Sequence, residues 1–175
     1  MNQILQMLAG GDRRSIGRAN EVVRIVLQQP EKFNDIFQGF YDSGPIIKMR
    51  TADAVEKITA DKPDLLVPYK QELIDLIEKT GQMEVQWHLT QILPRLQLTK
   101  PEILKTYQMI ERYLVSSSAI VKAFTYQCFF ELALQEPDLL PQTRKYLEDG
   151  MECPTKAVQS RCRKLLKEIE KYEKH

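Results

Sequence analysis

Histidine is nearly missing from this chain. His88 and His175 are its only two, so a metal site built on several imidazoles is excluded and general-base candidates are few. Cysteine stops at three: Cys128, Cys153 and Cys162. An odd number with no Cys-x-x-Cys argues against a disulfide framework and for free thiols in a reducing compartment. No Gly-x-x-x-x-Gly-Lys loop, Gly-x-Gly-x-x-Gly fingerprint or Gly-x-Ser-x-Gly elbow occurs, and Gly10-Gly11 reads as an ordinary turn. No apolar run approaches the ~20 residues that cross a bilayer. Met1 to Ala9, with Asn2, Gln3 and Gln6 inside it, is too short and polar for a signal peptide. An excess of charge of either sign is missing as well. The net charge of +1 speaks against a nucleic-acid binder that relies on overall charge. These absences lead to the expectation of a non-enzymatic, cytoplasmic protein with no cofactor, no metal and no membrane segment.

What the chain does contain is enough for a folded core: 175 residues, 43% hydrophobic and 28% charged. Its organising feature is self-similarity. Frames that start at Ile47, Val85, Val121 and Val158 lie 38, 36 and 37 residues apart. At +7 they carry Ala54, Ile92, Cys128 and Leu165, and at +8 Val55, Leu93, Phe129 and Leu166. At +11 they carry Ile58, Leu96, Leu132 and Ile169. Offsets 0, +4, +7, +8 and +11 fall within an arc of about 100° at about 100° per residue, so each frame predicts an amphipathic helix. A fixed period of this size marks a repeat array, whose units bury their apolar faces by stacking on one another. Cys128 and Cys162 sit on this stripe and read as small buried hydrophobes.

A second helix is predicted in each unit. Pro63, Pro101 and Pro137 follow at +16, suited to a first helical position, and each precedes an acidic residue, Asp64, Glu102 or Asp138. Turn residues punctuate the pairs: Asp42-Ser43-Gly44-Pro45, Thr80-Gly81-Gln82, Ser116-Ser117-Ser118 and Asp149-Gly150. The expectation is a single all-α domain over 1–175. Its inner helices would lie near 15–29, 46–61, 84–97, 119–135 and 155–172, and its outer helices near 31–41, 64–79, 101–115 and 138–148. Pro94 should kink its inner helix or end it early.

Pro63-Asp64-Leu65-Leu66-Val67-Pro68, Pro137-Asp138-Leu139-Leu140-Pro141, Ile47-Lys48 and Val121-Lys122 carry a resemblance to the HEAT-repeat family of the armadillo-type, α-solenoid superfamily. The likeness extends from about Ser15 to Ile169. It implies a right-handed α-α superhelix of about five helix pairs. The residue after the opening apolar one is Lys48, Gln86, Lys122 or Gln159, so a ladder of arginines there is incomplete.

In such an array the inner helices line a concave surface. The direction opposite the core stripe holds rows +2, +5, +6 and +9, among them Met49, Asp53 and Glu56 in the first frame. Trp87, Gln91, Tyr126, Gln127 and Phe130 then form a candidate partner-binding centre, with aromatic anchors and amide hydrogen bonders. Two readings of the aromatics are open: presentation in a groove, or packing between adjacent inner helices. His88 reads as a partly buried, hydrogen-bonded residue, with no acid or nucleophile evident beside it. From Lys156 to Lys174 seven cations face Glu168, Glu170 and Glu173. Within this stretch Arg161, Arg163, Lys164 and Lys167 form a basic patch, either a solvated capping helix or a landing site for an acidic partner.

The leading functional expectation is a non-catalytic, monomeric scaffold or adaptor that holds a protein or peptide segment in its groove. The alternative is a nucleic-acid-binding or DNA-repair protein that resembles the HEAT-like alkylpurine DNA glycosylases, with Trp87, Asp53 and Arg50 or Arg95 as residues of suitable type. No motif of that family is matched.

Overall fold

The computed structural model describes residues 2–12, 15–42 and 44–174. Met1, Ser43 and His175, used above, lie outside the described residues. Among the latter the secondary structure is entirely helical: α1 Gln3–Leu8, α2 Ala19–Gln28, α3 Phe33–Phe37, α4 Pro45–Asp61, α5 Lys70–Lys79, α6 Met83–Ile92, α7 Lys100–Ile110, α8 Ala119–Gln135, α9 Leu140–Met151 and α10 Lys156–Tyr172.

The prolines set where α-helix can begin and end. Pro63 and Pro137 open short 3-10 segments, Pro63–Tyr69 and Pro137–Leu139, which lead into α5 and α9. Pro68 lacks the N–H that an α-helix would direct to the Asp64 carbonyl, so the helix tightens to 3-10 until Tyr69. Pro101 sits inside the first turn of α7. The cap there is Thr99, whose amide donates to the Glu102 carboxylate at 2.7 Å in a capping box. Pro94 has no N–H for the Thr90 carbonyl, and α6 accordingly stops at Ile92 and gives way to a 3-10 turn, Leu93–Arg95. The helix expected over 15–29 begins only at Ala19, because Gly17 takes a positive φ just before it.

The frame register governs burial. Rows 0, +7, +8 and +11 are buried in all four frames, on α4, on α6 and the turn that follows it, on α8 and on α10, apart from Leu166, which is half-buried on α10. Cys128 and Cys162 are free thiols within this stripe, and burial pushes the Cys162 thiol up to about 12. Neither is a ready nucleophile at neutral pH.

The chain divides into two compact units, Met1–Leu73 and Ile74–His175. In the first, α2 and α4 pack together with α1 against them. Phe33, Ile36, Phe37 and Phe40 fill the space beside them, and the Phe37 and Tyr69 rings lie 4.1 Å apart. Arg50 on α4 is 1% exposed. It donates to the main-chain carbonyls of Leu8 (2.7 Å), Gly10 (2.6 Å), Asp12 (3.1 Å) and Ser15 (3.0 and 3.1 Å). A guanidinium with all its N–H groups so used tolerates burial without a carboxylate partner, and the Leu8 carbonyl lies at the negative end of α1.

In the second unit α8 is the central element, packed on α6 and the segment after α7 as well as on α9 and α10. It is therefore apolar on more than one stripe. Val121, Cys128, Phe129 and Leu132 form the frame stripe. Ala123, Tyr126, Phe130 and Ala133 join Leu147, Val158, Cys162 and Leu165 in a separate core cluster. Tyr107 links α7 to α9 through a 2.7 Å hydroxyl contact with Thr143.

Candidate interaction groove on α6, α8 and α10

The side of α8 away from the frame stripe is split between two arcs. Offsets +2, +5, +9 and +12 cluster within about 80° of one another, and offsets +3, +6, +10 and +13 within another such arc. On α8 the first arc is Ala123, Tyr126, Phe130 and Ala133, all in the core cluster with α9 and α10. The second is Phe124, Gln127, Glu131 and Leu134, and it lines a groove of about 660 Å³. The matching arc on α10 adds Arg161 and Lys164, and the α6 side adds Gln91, Pro94, Arg95 and Gln97.

One chain of polar contacts organises the groove floor. Arg161 Nη1 donates to Gln127 Oε1 at 2.8 Å, and Gln127 Nε2 donates to Glu131 Oε1 at 2.8 Å. The Arg161 guanidinium also lies over the Phe124 ring, 5.2 Å from its centroid. Glu131 is mostly buried in this wall. Burial pushes its carboxyl above the ordinary value, against the hydrogen bond from Gln127 and the nearby Arg95 and Arg161 charges. Gln135 closes one end: its Nε2 donates to the Pro94 carbonyl at 2.9 Å and its Oε1 accepts from the Leu98 amide at 3.3 Å. It thus ties α8 to the turn that follows α6. Gln91 Nε2 donates back to the Trp87 carbonyl at 3.1 Å, one turn earlier. Lys164 is exposed and makes no ion pair among the described residues.

This geometry reorders the residues singled out from the sequence. Gln91 and Gln127 line the groove, with Arg161 and Lys164 from the basic patch. Tyr126 and Phe130 do not. They are 7% and 8% exposed, and the packing between adjacent helices is what holds them. Trp87 is half-buried with its ring 5.1 Å from that of His88, and it is not part of the groove lining. Arg163 and Lys167 are exposed on the other arc of α10, so the basic patch is divided between two faces. Sequence reasoning passed over Phe124, Glu131, Leu134 and Gln135, and it named Arg95 only for the repair-enzyme alternative. The signal for Phe124, Glu131 and Leu134 was the row spacing +3, +6, +10, +13, which the stripe alone does not distinguish from +2, +5, +9; Gln135, at +14, lies outside that row. Of the trio of repair-enzyme type, Arg50 is committed to carbonyl oxygens and Asp53 is paired with Lys57 at 2.8 Å.

Stacked helix pairs in a constant register, with a polar groove along successive helices, define an α-helical repeat protein. The model of the HEAT repeat domain matches residues 7–169, and the chain belongs to the HEAT-repeat family. No curated relative and no solved structure matches it.

Proposed function

We propose that this chain is a non-catalytic protein-binding adaptor whose groove on α6, α8 and α10 holds an extended segment of another protein. The observation that carries this reading is the Arg161–Gln127–Glu131 chain on the groove floor. It presents amide and guanidinium groups in fixed positions beside an aromatic face and an exposed Leu134. Amide groups match both the donors and the acceptors of a peptide main chain. The register supports it too. On α4 the +3 position is Arg50, which gathers carbonyls of an irregular segment of this same chain, and on α10 the +3 position is Arg161. A cytoplasmic protein fits the three free thiols; no helix among the described residues is long and apolar enough to cross a membrane.

The test is selection of random dodecapeptides displayed on phage against the immobilised protein, followed by synthesis of the enriched sequences. Affinity for wild type and for Phe124→Ala/Arg161→Ala is then compared by fluorescence anisotropy. A loss of about tenfold or more in a variant of unchanged helicity is expected, the size that anchors at an interface carry. Failure to enrich any peptide, or equal affinity for both proteins, would sink the reading.

A further inference from the structure

Resting on the groove reading above, we infer that the segment it holds carries an aspartate or glutamate side chain, received between Arg161 and Lys164. Among the described residues the groove lining carries Arg95, Arg161 and Lys164 against one carboxylate, Glu131. That carboxylate is already engaged by Gln127. The cations therefore exceed what the groove neutralises internally. Lys164 has no ionic partner among the described residues, and its compact ammonium on a flexible stem is free to swing toward an incoming charge. Arg161 is the opposite. The Phe124 ring beneath it and Gln127 beside it hold its guanidinium in place before any ligand arrives. Little side-chain freedom is left for it to lose on binding. A fixed fork beside a mobile point charge suits one carboxylate.

A polyanion fits less well. A phosphate backbone needs cations repeated along its track, and here glutamines and Glu131 interrupt them. The side chains of Gln91, Gln97 and Gln127 instead add main-chain-like amides to the same lining.

The experiment uses fluorescein-labelled decapeptide pools with mixed neutral flanks and one fixed central residue: Asp, Glu, Gln, Lys or phosphoserine. Anisotropy is read with the full chain at 50 and 300 mM NaCl, beside a labelled single-stranded 12-mer DNA. The Asp and Glu pools should bind about tenfold tighter than the Gln pool at low salt, with the gap narrowing at high salt as screening shortens the reach of exposed charges. Arg161→Gln/Lys164→Gln should remove the difference between the acidic pools and the Gln pool. Lys164→Glu, an exposed change that spares the floor contacts, should make the acidic pools the weakest. Equal binding of the Gln and acidic pools overturns the inference while leaving the groove reading intact. So does a preference for Lys or a phosphoserine pool tighter by a further tenfold, and DNA binding tighter than every pool overturns it too. Binding of no peptide pool at all overturns both.

Discussion

A Cβ on Gly17 would lie 2.8 Å from Nη1 and 2.9 Å from Cζ of Arg50. The guanidinium cannot retreat, because five hydrogen bonds to four carbonyls hold it. Gly17 also has φ +55°, a conformation that costs any residue with a Cβ. The absence of a side chain at Gly17 is thus a condition for the buried arginine at α4 to gather the carbonyls of Leu8, Gly10, Asp12 and Ser15.

Gly17→Ala should cost about 1–3 kcal/mol through strain and displacement of Arg50. Arg50→Met should cost more, since it leaves several partly buried carbonyls without donors. Both should accelerate hydrogen exchange of the α1 amides. Unchanged exchange in both variants would mean that the end of α1 is held by something other than Arg50.

Gly150 poses the same question inside a helix. Alanine there gains about 1 kcal/mol of helix propensity, yet its Cβ would sit 2.5 Å from Cys162 Sγ and 2.8 Å from Tyr126 Cζ. Overpacking of this kind costs about 1–3 kcal/mol, so the net effect should be destabilising. Cys162→Ala in the same chain should recover part of the loss, a coupling of about 0.5 kcal/mol or more in a double-mutant cycle. Strict additivity in urea unfolding would show that the two sites do not meet.

Phe130 and Phe124 are six residues apart on one helix and should behave oppositely. Phe130→Ala empties a site in the cluster between α8 and α10 and should cost about 3–5 kcal/mol. Phe124, half-buried at the groove, should lose far less stability but most of the peptide affinity. Circular-dichroism melts and anisotropy on both variants separate the two roles, and equal stability losses would contradict the division of α8 into a packed arc and an open one.

Glu131 makes stability depend on pH in a definite direction. Its folded carboxyl titrates above the ordinary 4.5, with burial as the leading cause. The folded state therefore binds this proton more tightly than the unfolded chain does. The stabilising contribution is complete below 4.5 and is lost as pH rises through the raised value. Glu131→Gln keeps an acceptor for Gln127 and should raise the melting temperature at pH 7 while changing little at pH 4. A variant less stable than wild type at pH 7 would show that the charges of Arg95 and Arg161 outweigh burial.

Much of this architecture was legible in the residues. The four apolar rows identified four buried helix faces, and Pro94, Pro101 and the turn residues marked helix ends to within a few positions. The candidate groove was legible only in part. Row +6 contained Gln91, Gln127 and Lys164, which do line it, whereas rows +2, +5 and +9 led to Trp87, Tyr126 and Phe130, which do not. The alternation along those rows held a warning. The arc that reads Ala123, Tyr126 and Phe130 on α8 reads Ser160, Arg163 and Lys167 on α10, and it is buried on the first and exposed on the second.

Helical periodicity is a property of the local backbone, so a stripe repeated every 36 to 38 residues states by itself which face of each helix goes inward. What covers the rest of each helix depends on neighbours brought in from elsewhere. Arg161 meets Gln127 across 34 residues, and Arg50 meets its carbonyls across 35 to 42. The helical repeat and its register were therefore determined by sequence alone. Only the tertiary packing decided that one arc of α8 closes as core and the next stays open as a groove, because a second neighbouring helix can bury just one of them.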